Sequence, residues 1–250
     1  MQIDLNADMA EGFGPWEMTD DAGLLQVITS ANIACGFHAG DPDRMMAAMR
    51  GAVAAGVGIG AHPGFDDLRG FGRNRIDMPR ATLENQIRYQ VAACAGMARA
   101  AGGQLAHVKL HGALANMASE DEGLARACFT AALSVAPGAR IVAMAATAQA
   151  RAAEGMGISW VGEIFADRAY RADGLLVDRR EAGAVIHDAG VAGERVLAML
   201  RAGAILTADG GAIATRIDTV CVHGDSPSAV AMAQSLRATL QRAGVRVAPF

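Results

Sequence analysis

The chain has 250 residues, 52% of them apolar and only 4% aromatic, with a formal net charge of −4 spread over interspersed acids and bases. That balance argues against nucleic acid or an anionic membrane surface as a standing partner. A chain this long buries roughly three quarters of its unfolded surface, so it needs no disulfide or metal staple to fold.

In chain order, short apolar runs alternate with helical patterns. Residues 2–6 (QIDLN) read as a strand, 20–28 as a helix and 30–35 (SANIAC) as a strand. Asp41-Pro42 is a helix-start signal and opens an Ala/Met-rich helix over 42–55. Then come a strand at 57–61 (VGIGA), a long helix at 80–101, a strand at 105–109 (LAHVK) and a helix at 121–135. Past Pro137 and Gly138, 140–144 (RIVAM) is a strand, 146–154 a helix and 158–163 (ISWVGE) a strand. A helix near 192–202 leads into a less regular stretch at 204–217, a strand at 218–222 (DTVCV) and a helix at 227–243.

About seven strand-then-helix units imply a parallel sheet with right-handed crossovers. In a chain of this length they predict an α/β fold, a TIM-like (β/α) barrel, rather than an open doubly wound sheet. No linker, repeat or low-complexity segment interrupts residues 1–250, which are expected to form one domain. The opening MQIDLNAD lacks the basic and apolar regions of a signal peptide. The longest uncharged stretch, Ala22 to Gly40, is too polar for hydrocarbon. Cys35, Cys94, Cys128 and Cys221 form no CxxC pair, so they predict reduced, buried thiols in a cytoplasmic protein.

The polar residues gather at the strand ends, which in parallel α/β folds form the active-site face. Asp4, Asn6 and Asp8 share one side of the first strand, and His107, Lys109 and His111 one side of another. Their apolar alternates should pack on the helices, turning the polar sides into the barrel mouth. Asp8 and Glu11 are candidate bases, and His38, His62, His111 and His223 could polarise a carbonyl, shuttle a proton or hold a metal. Lys109 and Arg168 could neutralise an oxyanion or a phosphate. Lys109 is the only lysine among 22 basic residues, which suggests a position that needs an ammonium. Three strand ends could also bring Asp8, His38 and His62 together around a metal ion. Asp41 reads equally well as a helix cap. The chain contains no Walker-A, Rossmann, HExxH or GxSxG motif in the required context.

The segments DLNADMAEGFG (4–14), SANIACGFHAGDP (30–42), GAHPGF (60–65), GFGR (70–73), HVKLHGALAN (107–116), EIFADRAY (163–170) and CVHGD (221–225) resemble the LamB/YcsF family, in order and over nearly the whole chain. The family pattern has Gly where this chain has Ala10, Pro at Leu110 and Tyr at Ala115, and the last of these could change pocket shape. The resemblance implies a barrel related to the glycoside hydrolase/deacetylase superfamily. It also implies a hydrolase, shared with partner subunits B and C, that opens the 5-oxo-L-proline lactam to L-glutamate at the expense of ATP and its Mg ion. On that reading Asp8, Glu11, His38, His62, Lys109 and His111 form the catalytic set. Asn6, Asp41, Glu163, Arg168, His223 and Asp225 bind substrate. Two other readings use the same residues: a stand-alone metal-dependent deacetylase or amidase, and a non-catalytic subunit that presents substrate to its partners.

Overall fold

A computed structural model describes residues 1–222 and 229–250. In chain order the elements are β1 (Gln2–Met9), α1 (Asp21–Leu25), β2 (Ser30–Ala34), α2 (Pro42–Ala55), β3 (Gly58–His62), α3 (Arg80–Ala100), β4 (Leu105–Lys109), α4 (Gly112–Glu120), α5 (Glu122–Val135), β5 (Arg140–Met144), α6 (Ala148–Gly155) and β6 (Trp160–Phe165). They continue with α7 (Ala189–Ala202), the short β7 (Ala204–Leu206) and β8 (Ala212–Ala214), β9 (Thr219–Val222), α8 (Ala229–Arg242) and β10 (Arg246–Val247).

Seven of these strands, in the order β1-β2-β3-β4-β5-β6-β9, form a wholly parallel sheet that closes on itself. The seam is the pairing of β1 with β9, from Asp4 opposite Thr219 to Ala7 opposite Val222. The start of β1 also pairs with β10, Gln2 opposite Arg246. The expected (β/α) barrel is therefore present, and it is closed. β7 and β8 form a small antiparallel pair outside it, within the stretch that looked irregular in sequence.

Local chemistry sets several boundaries. Asp41 caps α2 through the amides of Asp43 and Arg44, Pro42 fills its first turn, and Gly56 ends it in the left-handed region at φ 67. The helix expected at 121–135 is preceded by a second one, α4; Asp121 ends α4 and its side chain caps α5 through Leu124 N. The strand expected at 158–163 lies two residues later, at Trp160–Phe165.

Period-2 alternation decides what fills the barrel. Ile3, Leu5, Ala7 and Met9 are fully buried on the helix side of β1. Burying side chains of the larger three types is worth roughly 1.5–3 kcal/mol each. The opposite side is polar along its whole length, which goes further than the polar mouth read from sequence. At the bottom, Asp4 accepts hydrogen bonds from Thr29 (2.6 Å), Ser30 (2.7 Å) and Thr219 (2.5 Å). One layer up, Asn6 donates to Thr219 (2.7 Å) and accepts from Asn32 (2.7 Å), whose amide oxygen accepts from His107 Nε2 (2.8 Å). Each of these buried side chains thus has a hydrogen-bond partner from another part of the barrel, His107 reaching past β3 to Asn32 on β2, which is the condition for keeping it there.

Room for the His107 ring comes from Gly60 on β3. A Cβ at residue 60 would lie 2.0 Å from His107 Nε2, inside the ring's own space. Gly60→Ala is therefore expected to break the His107–Asn32 layer and to cost about 1–3 kcal/mol through overpacking. Guanidinium unfolding of the variant against the parent checks this, and equal midpoints would show that the interior is looser than described.

Candidate active site

Lys109 ends β4 and sends its side chain across the interior. Its Nζ lies 2.8 Å from Glu163 Oε1 on β6, 3.1 Å from Asp8 Oδ1 and 3.2 Å from Asn6 Oδ1 on β1, and 3.0 Å from Cys221 Sγ on β9. Strands on opposite sides of the barrel are thus tied to one ammonium. Burial by itself would lower the pKa of Lys109, but the charges of Asp8 and Glu163 outweigh it and hold the group well above its usual range. The same balance acts on Asp8: burial pushes it up, while His62 and Lys109 pull it well below the usual carboxylate range. Cys221 is raised well above an ordinary thiol by burial, so it sits beside the ammonium as a neutral group.

Beside this pair lies a compact group of three histidines and a glutamate, supplied by the ends of β1 to β4. His62 Nε2 is 3.1 Å from His111 Nδ1 and 3.3 Å from Asp8 Oδ2. Glu11 Oε1 is 3.3 Å from His38 Nε2 and 3.6 Å from His111 Nδ1. The His38 and His111 rings are stacked, with centroids 3.6 Å apart and planes 7° from parallel. Donor atoms of Glu11, His38, His62 and His111 all fall within 4.8 Å of one another, as metal ligands would. Two of the three residues expected to meet at a metal, His38 and His62, belong to this group. Asp8 stands at its edge, with Oδ1 on Lys109 and Oδ2 3.3 Å from His62 Nε2, and Glu11 and His111 complete the group.

Backbone shape holds the group together. Gly72 and Gly112 sit in the left-handed region, at φ 62 and 54, and face each other so closely that a Cβ on Gly112 would meet Gly72 O at 2.6 Å. Their contact presses the loop containing residue 71 onto the end of β4, so that Phe71 O accepts from His111 Nε2 at 2.8 Å. Ala10 also has a positive φ, 58, a conformation that glycine adopts more readily.

A cavity of about 700 Å³ opens above these residues. Asp8, His62, Lys109, His111, Glu163 and Arg168 line it, six of the residues singled out from sequence. Glu11 and His38 are buried behind its wall. Asn6 lies beneath Lys109 and does not reach the cavity. Asp41 is the cap of α2 and is outside it too. His223 and Asp225 lie outside the described residues.

Sequence reasoning missed most of the mouth. Arg73, Arg75, Arg171, Arg179 and Arg180 join Arg168 in lining it, from the loops after β3 and β6. The only signal was local: GFGR at 70–73, and six charged residues crowded between 171 and 181. Arg168 is buried, with its pKa pushed down to about 10 by desolvation and by Arg179. Its guanidinium donates to the carbonyls of Val177 (2.7 Å) and Ala184 (3.4 Å). Ala115, the position singled out from sequence as able to change pocket shape, is part of the wall.

The model of the LamB/YcsF family matches residues 3–250. The A subunit of a 5-oxoprolinase from Ruegeria pomeroyi is 58% identical over 249 residues, spanning 100% of this chain and 98% of the relative. Its counterpart from Rhodopseudomonas palustris (strain ATCC BAA-98 / CGA009) is 49% identical over 251 residues, spanning 100% and 99%. The crystal structure of a lactam utilization protein from Thermus thermophilus superposes with a TM-score of 0.93 at 40% identity, covering 100% of both chains. A putative cellobiose-phosphate cleavage protein from Enterococcus faecalis V583 shares the fold alone, with a TM-score of 0.55 at 13% identity over 99% of this chain and 96% of that one.

The buried interior histidines predict an acid-sensitive fold. Desolvation, with Lys109 nearby, lowers His107 from 6.5 to about 3. As pH falls below 6.5 the unfolded chain binds a proton at this residue and the folded chain does not, so stability drops until about pH 3. The slope approaches about 1.4 kcal/mol per pH unit, which amounts to roughly 2 kcal/mol by about pH 5. Denaturant unfolding at about pH 7.5 and pH 5 should show this loss, and His107→Gln should remove that share of it. An unchanged pH dependence in the variant would assign the acid sensitivity to other groups.

Proposed function

The chain belongs to the LamB/YcsF family, and from that premise we propose that it is the A subunit of a 5-oxoprolinase, a hydrolase that opens the 5-oxo-L-proline ring to L-glutamate. The observation that carries the reading is a pair of facts about one place. A chain 58% identical to such a protein over its whole length presents an ionised carboxylate, Asp8, and an ammonium, Lys109, side by side on the floor of a cavity with an arginine-lined mouth.

The chemistry these groups suit is amide activation. A five-membered lactam re-closes readily, so opening it has to be coupled to a downhill step. Transfer of the γ-phosphoryl group of Mg-ATP to the lactam oxygen forms an O–P bond, releases ADP and leaves the carbonyl carbon electrophilic. Lys109 and Arg168 neutralise the oxyanion and the phosphoryl oxygens. Asp8 takes a proton from the attacking water and returns it to the ring nitrogen as the C–N bond breaks. The ring-opened product is an acyl phosphate, and a second water hydrolyses it to glutamate and phosphate. Glu163 holds the ammonium of Lys109 in place, and Glu11, behind the wall, acts on the histidines rather than on water.

Subunits B and C complete the enzyme in this reading, and the arginines at the mouth face the side from which a nucleotide would enter. A cytoplasmic location suits an ATP-coupled step, and no helix among the described residues is long and apolar enough to cross a membrane.

Glutamate release from 5-oxoproline tests the proposal, with this chain alone and with its B and C partners, each with and without ATP. ATP-dependent glutamate is expected only from the assembled mixture. Asp8→Asn should lower kcat by about 10²–10⁴-fold in a complex that still assembles. Full turnover by the assembled Asp8→Asn complex would remove Asp8 from the base role. No glutamate from an assembled parent complex would refute the activity itself.

A further inference from the structure

The contact between His62 and His111 poses an electronic problem that lactam opening does not explain. His62 Nδ1 lies 2.8 Å from the carbonyl oxygen of Lys109, and His111 Nε2 lies 2.8 Å from that of Phe71. A carbonyl oxygen only accepts, so each of these nitrogens carries its ring's hydrogen. In the neutral rings the other nitrogens, His62 Nε2 and His111 Nδ1, bear lone pairs, and they face each other at 3.1 Å. Asp8 Oδ2 lies 3.3 Å from the first and Glu11 Oε1 3.6 Å from the second. Lone pairs and carboxylate oxygens converging on one buried point repel one another unless a metal ion, or a proton between His62 and Asp8, lies among them.

We propose that His62 Nε2, His111 Nδ1 and Glu11 Oε1 are the protein ligands of one divalent metal ion of the zinc type. Zinc holds nitrogen and oxygen at about 2.0–2.1 Å in a tetrahedron, whose edges are then about 3.3–3.4 Å. The two edges fixed by His111 Nδ1, 3.1 Å to His62 and 3.6 Å to Glu11, bracket that length. Two imidazoles and a carboxylate favour zinc over magnesium or calcium, which take oxygen. Each ligating ring gives its second nitrogen's hydrogen to a backbone carbonyl, as metal-bound histidines do.

His38 completes the group without binding the ion. Its ring is stacked on His111 at 3.6 Å and 7° from parallel. An ion shared between them would lie about 1.8 Å out of each plane, nearly the whole of a metal–nitrogen bond of about 2.0 Å, whereas the lone pairs lie in the planes. His38 Nε2 instead donates to Glu11 Oε1, which leaves His38 Nδ1 as the buried atom without a partner. Its part is to orient the carboxylate. Both ligating histidines and Asp8 line the cavity, so the remaining coordination position faces it. This assignment does not depend on the lactam-opening reading.

The test is to strip the purified full chain with a chelator, then titrate it with zinc and with cobalt(II), following heat of binding and visible absorption. One equivalent of metal per chain is expected, with the intense cobalt band of a four-coordinate site. Glu11→Gln, His62→Asn and His111→Asn should each abolish saturable binding. His38→Gln should keep the cobalt spectrum and weaken affinity by about 10–100-fold. Absence of saturable binding by folded parent protein would overturn the proposal. So would a nitrogen-15 spectrum in which His62 or His111 carries hydrogen on both ring nitrogens, since a proton would then fill the gap. Loss of the cobalt band in a folded His38→Gln variant would overturn the three-ligand assignment.

Discussion

One desolvated ammonium sets the terms for the rest of the barrel. Moving a charged amine out of water costs several kcal/mol even after relaxation, and only well-placed counter-charges and hydrogen bonds offset that cost. Lys109 receives them from three strands at once: Asp8 and Asn6 on β1, Glu163 on β6 and Cys221 on β9. Removing one carboxylate would leave a buried charge short of partners, a defect worth about 3–5 kcal/mol in comparable cases. The site and the fold are therefore not separable here, because the contacts that close the barrel's interior also ionise Asp8. The choice of lysine in a chain that uses arginine at its other 21 basic positions follows from shape. A compact ammonium can point hydrogens at partners on several strands, whereas a planar guanidinium fork needs its acceptors in one plane.

Below the ammonium, the interior is ordered as layers. Asp4 is held by three hydroxyls, and burial still raises its pKa above the usual carboxylate value. Asn6, Asn32 and His107 form the next layer, with Gly60 making room for the ring. A barrel filled this way gains less from apolar transfer than one packed with Val, Ile and Leu. It gains position: every side chain in the stack is fixed by a directional partner, so the Asp8–Lys109 pair is pre-set before any ligand arrives.

Much of this was legible from residue order alone. The alternation in QIDLNADM separates helix-facing from interior residues without further information, and Asp41-Pro42 marks the start of α2. What parity cannot give is depth. It places Asn6 and Asp8 on one face, but only the pairing of β1 with β2 and β9 shows that Asn6 lies under Lys109 while Asp8 reaches the cavity. Likewise, Glu11 follows its strand on a loop whose course is set by the left-handed Ala10, so its meeting with His38 and His111 could not be read from spacing. The separate helix α4 was hidden because the Asp121 that caps α5 also ends α4, leaving no gap in the pattern. The arginines between residues 168 and 180 sit in a stretch held by isolated bridges, Arg168 with Val185 and Tyr170 with Leu176, which has no periodicity to detect.

The order of charge along the cavity carries the last step. At the floor, one ammonium is shared by Asp8 and Glu163, so before a metal ion binds the carboxylates there outnumber the cation. At the mouth, six guanidinium groups line the opening, against Glu120, Asp178 and Glu181. A low-dielectric cleft focuses such a field, drawing anions to the rim. A ligand with its negative groups at one end and a neutral amide at the other is thereby turned so that the amide goes in first, toward Asp8 and the His62–His111 edge. Orientation of that kind needs no contact specific to the ring, and it brings the amide oxygen, the atom that receives the phosphoryl group, within reach of Lys109.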